Sequence, residues 1–140
     1  MEFSSTVWGP HMWFFLHTIS MCYPIRPNAV TKKKYYEFVQ NIPLFIPVEK
    51  QSSDFSKLLD EYPVSSYLDN RESFVRWVWF IHNKINEKLE KPQMSFNDFF
   101  IHYHEMYKPV EVKHNYKIKK IIYGCILLLM IGIIYYLYDK

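Results

Sequence analysis

Glycine and cysteine are scarce in this chain of 140 residues: three glycines and two cysteines in all. So few glycines argue against a loop-rich or repetitive architecture. Cys22 and Cys125 alone cannot build a disulfide framework, a zinc cluster or a thioredoxin-like pair within one chain. Charge of one sign is also lacking, since the formal net charge is only +3. The lysines are scattered, with no basic stripe interleaved with stacking aromatics, and nucleic acid is not expected as a partner. Met1 to Val7 is too short and polar to predict a signal peptide. Aromatic residues, by contrast, make up 19% of the chain, which favours a large aromatic core or a planar ligand.

One long apolar run is present. Ile121 to Tyr138 reads IIYGCILLLMIGIIYYLY without a charge. At ~1.5 Å per residue it spans roughly 27 Å as a helix, close to the thickness of a bilayer core. Apolar on every face, it predicts a transmembrane helix, with Tyr135, Tyr136 and Tyr138 at the interface. Lys117, Lys119 and Lys120 precede it, and only Asp139 and Lys140 follow. The positive-inside tendency then predicts a single-pass, tail-anchored protein whose soluble part faces the cytosol.

The remainder predicts helices and no strands. Large apolar groups keep a helical repeat over residues 6–22, before Tyr23 and Pro24. Thr31 is placed to cap a second helix to Asn41, with Tyr35, Tyr36, Phe38 and Val39 as its apolar face. Pro43 and Pro47 break the chain before a third helix from Glu49 to Tyr62. Asp69 and Glu72 are spaced as a capping box for a long fourth helix, whose stripe of Phe74, Val78, Ile81, Ile85 and Leu89 runs on until Pro92. Ser95 caps a fifth, from Phe96 to Tyr107. The expected fold is all-α: a four-helix bundle plus a short fifth helix in residues 1–107, a basic linker over 108–120, and a transmembrane helix over 121–138.

Three blocks carry the candidate chemistry. Trp8, Gly9, Trp13, Leu16, His17 and Thr18 form WGxxxWxxLHT, with Trp13 and His17 one turn apart on one face. His82, Asn83, Asn86, Leu89, Lys91 and Pro92 form HNxxNxxLxKP, a polar set beside the cations Lys84, Lys88 and Lys91. Between them lies IPVEKQSSDF, Ile46 to Phe55. Buried polar groups need partners, and a ligand is one way to supply them. A metal site at His102, His104 and Glu105 is not expected, because positions i and i+2 diverge on a helix.

In order and spacing, these blocks resemble the signatures of the Erv/Alr-type FAD-linked sulfhydryl oxidases, over roughly residues 6–107. That family has a four-helix bundle with a short fifth helix, is usually dimeric, and holds FAD between helix ends; viral members are known. The resemblance implies that Trp8, Gly9, Trp13 and His17 pack along FAD, together with Glu49. It also implies that His82, Asn83 and Asn86 hydrogen-bond its rings and that Lys88 and Lys91 meet its pyrophosphate. Tyr103 or Tyr107 stands for an aromatic that covers the ring, and Pro10 and His11 replace a basic residue that often follows the glycine.

The family's activity turns dithiols into disulfides, reducing oxygen to peroxide, with a dithiol client protein or a thioredoxin-like relay as partner. Its Pro-Cys-x-x-Cys is absent here, because Val48 and Gln51 occupy the cysteine positions. Neither side chain forms a thiolate, so the expected state is an FAD-binding, redox-impaired member attached to a host or virion membrane. Cys22, a lone cysteine, reads as a small buried hydrophobe, and Cys125 as a packing residue in the span. A non-enzymatic, membrane-tethered interaction or dimerisation module is the alternative.

Overall fold

The computed structural model describes residues 3–109 and 116–139, at 116 and 117 as backbone only. Most of the expected linker, and the side chain of Lys117, lie outside the described residues. The chain divides into two compact units, Met1–Met106 and Tyr107–Lys140. Among the described residues all regular structure is helical: α1 Ser5–Cys22, α2 Ala29–Asn41, α3 Glu49–Glu61, α4 Arg71–Lys88, α5 Phe96–Met106 and α6 Tyr116–Tyr138. Two 3-10 turns, Ile42–Phe45 and Val64–Tyr67, join α2 to α3 and α3 to α4.

In the first unit α1 and α4 are the principal packing pair, with α3 against α4. Trp13 and Leu16 of α1, Phe55 and Leu58 of α3, and Trp77 and Ile81 of α4 share one core. Each large apolar side chain buried there contributes about 1.5–3 kcal/mol. A second, smaller cluster seats Phe99 and Tyr103 of α5 against Val75 of α4, with Phe14 of α1 packed on it. Tyr23 ties the end of α1 to the start of α4: it is fully buried, and its hydroxyl donates to the Leu68 carbonyl at 2.8 Å. The Arg71 Nε–H donates to the Tyr23 carbonyl.

Four local expectations need correction. Asn28, not Thr31, caps α2, accepting from the Thr31 N–H at 2.8 Å, so the helix begins at Ala29. Tyr36, expected on the buried face, is 42% exposed, and Val39 is the buried residue of that helix. Asn70, not Asp69, caps α4 by accepting from the Ser73 N–H at 2.9 Å. Asp69 is instead held by the Lys32 ammonium at 2.6 Å. Finally, α4 ends at Lys88 and Leu89 is its exposed C-cap, because Glu90 turns into left-handed backbone at φ 53°. This reversal lets the Lys91 N–H donate to the Asn86 carbonyl at 2.8 Å. The expected Ser95 cap is present: its hydroxyl accepts from the Asp98 N–H at 3.1 Å.

Pro10 sits inside α1 and cannot donate to the carbonyl one turn back. Gly9, lacking a Cβ, is the residue that best tolerates helical backbone before a proline. In the second unit, Ile118–Tyr138 is long and apolar enough to cross a membrane by length and composition, with a mean hydropathy of 2.3.

Candidate functional site

Neighbouring α1 and α4 bring three rings together. Trp13 and His17 project from successive turns of α1, and His82 comes from the facing side of α4. The His17 Nε2 and His82 Nδ1 are 2.9 Å apart, so one donates and the other accepts. Trp13 stacks on His82, with centroids 4.1 Å apart and planes at 9°. Phe99 and Tyr103 of α5 close over His17, each with its centroid at 4.6 Å.

Enclosure sets the charge of this cluster. Burial, and secondarily His82, holds His17 down to about 3. Burial, and secondarily the positive charge of Lys91, holds His82 down to about 4. Both imidazoles are therefore neutral at pH 7, and the cluster presents flat, uncharged rings.

Trp13 is also one wall of a cleft of about 110 Å³ between the first half of α1, the start of α3 and the end of α4. That is less than the ~300–1,000 Å³ typical of whole ligand sites, room for a part of a large ligand. Ile46, Phe55 and Ile85 make its walls apolar, and Gln51, Asn86 and Lys91 add polar groups. Lys88 also lines it and reaches Asp54 across the α3/α4 junction at 3.8 Å. A Cβ built on Gly9 would meet nothing within 4 Å, so the α1 backbone lies open there. Two polar atoms on cleft residues, Trp8 Nε1 and Gln51 Oε1, are buried without a hydrogen-bond partner. An unsatisfied buried polar atom costs ~1–3 kcal/mol, and a cleft ligand with a complementary edge would remove that cost.

Of the residues expected at the site, Trp8, Gly9, Trp13, Asn86, Lys88 and Lys91 line this cleft. His17 and His82 stand behind Trp13, in the ring cluster. Tyr103 belongs to that cluster as well, and Asn83, Tyr107 and Glu49 are elsewhere. Asn83 is engaged at both ends of its amide, donating to the Met94 carbonyl at 2.9 Å and accepting from the Met94 N–H at 3.1 Å. Tyr103 is buried against His17, while Tyr107 is 51% exposed. Glu49 is exposed in the first turn of α3.

Val48 is the N-cap of α3 and supplies no side-chain cap. Gln51, one turn later, lies on the same face as the buried Phe55, and its polar role in the cleft was missed by sequence reasoning. The signal was available in that i, i+4 relation, which places residue 51 on the inward stripe. Cys22 is exposed, contrary to the expectation of a buried thiol, because it ends α1 at the surface. Among the described residues no group of three or more His, Cys, Asp or Glu could hold a metal ion.

The profile of the Erv1 / Alr family matches residues 10–108. A probable FAD-linked sulfhydryl oxidase of Acanthamoeba polyphaga mimivirus is 31% identical over 90 residues, covering 64% of this chain and 63% of the relative. The mitochondrial FAD-linked sulfhydryl oxidase of Saccharomyces cerevisiae is 30% identical over 89 residues, 64% of this chain and 46% of that protein. The chain thus spans less than two thirds of the length of these relatives. The crystal structure of the yeast Erv1 core superposes with a TM-score of 0.66 at 26% identity, over 77% of this chain and 86% of that one. The FAD-binding domain of Erv1 from Saccharomyces cerevisiae gives 0.65 at 28%, over 69% and 90%.

Proposed function

Because the chain belongs to the Erv1 / Alr family, we propose that its helical domain, residues 1–107, holds FAD in the cleft between α1, α3 and α4 without accepting electrons from dithiols. The observation that carries this reading is the pair of buried, unpartnered polar atoms, Trp8 Nε1 and Gln51 Oε1, on residues of one apolar-walled cleft. Trp13 offers a ring face to a flat heterocycle, and Asn86 a hydrogen-bonding amide. Lys88 and Lys91 provide cations for a pyrophosphate, and the open backbone at Gly9 allows close approach. When bound, FAD supplies two-electron redox chemistry. The relatives' names support the cofactor, since they are FAD-linked sulfhydryl oxidases.

Entry of electrons is the step this chain lacks. The cysteine pair that the resemblance places at 48 and 51 is here a valine capping α3 and a glutamine facing the cleft. Neither forms a mixed disulfide with a client. A purified chain that shows a flavin absorption band, melts higher with added FAD and consumes no oxygen with dithiol agrees with the reading; a colourless chain indifferent to FAD contradicts it.

The chain is further proposed to be a tail-anchored, single-pass protein, with α6 in a host or virion membrane and the helical domain in the cytosol. Support comes from α6, apolar on every side, and from Lys119 and Lys120 before its uncharged run. Protease added to sealed microsomes should digest the helical domain, and full protection would refute the orientation.

A second reading, a flavin-free dimerisation module, has its own observation: Phe15, Leu44 and Phe45 are 56%, 78% and 80% exposed. It requires self-association that FAD neither strengthens nor accompanies.

A further inference from the structure

Gln51 is more than a vacancy for a thiol. The geometry points to Trp8 and Gln51 as a donor–acceptor pair that reads the hydrogen-bonding edge of the flat ring held in the cleft. This inference rests on the proposal that the ring belongs to FAD.

The argument starts from what each atom can do. An indole N–H only donates, and an amide carbonyl only accepts. Trp8 Nε1 and Gln51 Oε1 are both shut off from solvent, and neither has a partner in the protein. Trp8 is on the first half of α1 and Gln51 in the first turn of α3, and both line the same cleft. Two polar neighbours are already engaged: Ser52 Oγ donates to the Pro43 carbonyl at 2.7 Å, and Asp54 pairs with Lys88 at 3.8 Å. One unsatisfied donor and one unsatisfied acceptor call for a ligand edge with an acceptor and an N–H. Both heterocycles of FAD have such an edge: a ring N–H flanked by carbonyls in the isoalloxazine, and an amino group beside ring nitrogens in adenine. On this account residue 51 has exchanged a sulfur for an amide that orients the ring.

The pair is tested by variants whose ligand-free stability and ligand affinity move in opposite directions. Gln51→Leu and Trp8→Phe each remove one unsatisfied polar atom and keep the apolar bulk. The melting temperature of ligand-free protein should hold or rise, while the Kd for FAD rises about five- to tenfold in each variant. A merely structural role moves the other way, with a lower melting temperature and unchanged affinity, and that result overturns the inference. The visible flavin band then identifies the ring: displaced in Gln51→Leu for the isoalloxazine, unmoved despite weaker binding for adenine. If the full-length wild-type protein binds no FAD, the proposed cofactor fails and this inference fails with it. If it binds FAD and both variants bind equally well, only the donor–acceptor pair is wrong.

Discussion

Trp13 lies almost parallel to His82, centroids 4.1 Å apart, although the two residues are 69 positions apart and on different helices. This contact joins α1 to α4, and Phe55 of α3 meets the same indole with its centroid at 6.2 Å. Trp13→Ala should therefore destabilise the helical domain by about 3–5 kcal/mol, whereas Trp13→Phe should retain most of the stability. Urea denaturation of both variants measures the difference, and near-equal losses would show that the ring stack is incidental.

Acid should weaken the domain in a window set by the histidine pair. His17 and His82 are held down to about 3 and about 4, while an unfolded histidine protonates near 6.5. The unfolded chain thus binds more protons than the folded one between these values. Stability from the neutral pair is complete above about pH 6.5 and is lost as pH falls toward the folded values. From pH 7 to pH 5 the loss should be on the order of 4 kcal/mol, about 2 from each histidine. His17→Gln should flatten that dependence, and an unchanged slope in that variant would assign it to other groups.

A cysteine restored at 48 would stand at the N-terminus of α3, whose Val48 cap offers no side-chain acceptor to the first-turn N–H groups. Those N–H groups stabilise an anion, so the Val48→Cys thiol should titrate below the ordinary value of about 8.5. Rates of alkylation against pH measure this, in a Cys22→Ser background because Cys22 is an exposed free thiol. Adding Gln51→Cys should then bring dithiol-dependent oxygen consumption. A double variant that binds FAD and stays inert would separate cofactor binding from oxidase chemistry.

The two candidate caps of α4 can be weighed directly. Asn70→Ala removes the acceptor of the Ser73 N–H and should cost about 1 kcal/mol. Asp69→Ala removes only an exposed ion pair with Lys32, on a side chain 75% exposed, and should cost roughly 0–1 kcal/mol. Thermal melts that reversed this order would restore Asp69 as the cap.

The helices were legible because their apolar periods are long and their breakers, Pro24, Pro43 and Pro92, are explicit. Caps were less legible: Asn28 and Thr31, like Asp69 and Asn70, are all competent, and tertiary partners decide between them. Lys32 recruits Asp69 from a different helix, a relation without a local signature. The same holds at the site. Spacing alone brought Trp13 and His17 to one face, but it could not separate Asn86, which faces the cleft, from Asn83, which grips Met94 eleven residues on. Leu89 followed the stripe in sequence and left it in space, because the left-handed Glu90 turns the chain away.

The Asn83 grip on Met94 also makes a hoop of residues 84–93, and Lys88, Leu89 and Lys91 on that hoop form part of the cleft. The Asn83 amide, with the Trp79 indole N–H that donates to the same Met94 carbonyl at 2.9 Å, latches the hoop shut from its base. One rim of the cleft is thereby anchored by side chains that do not line it.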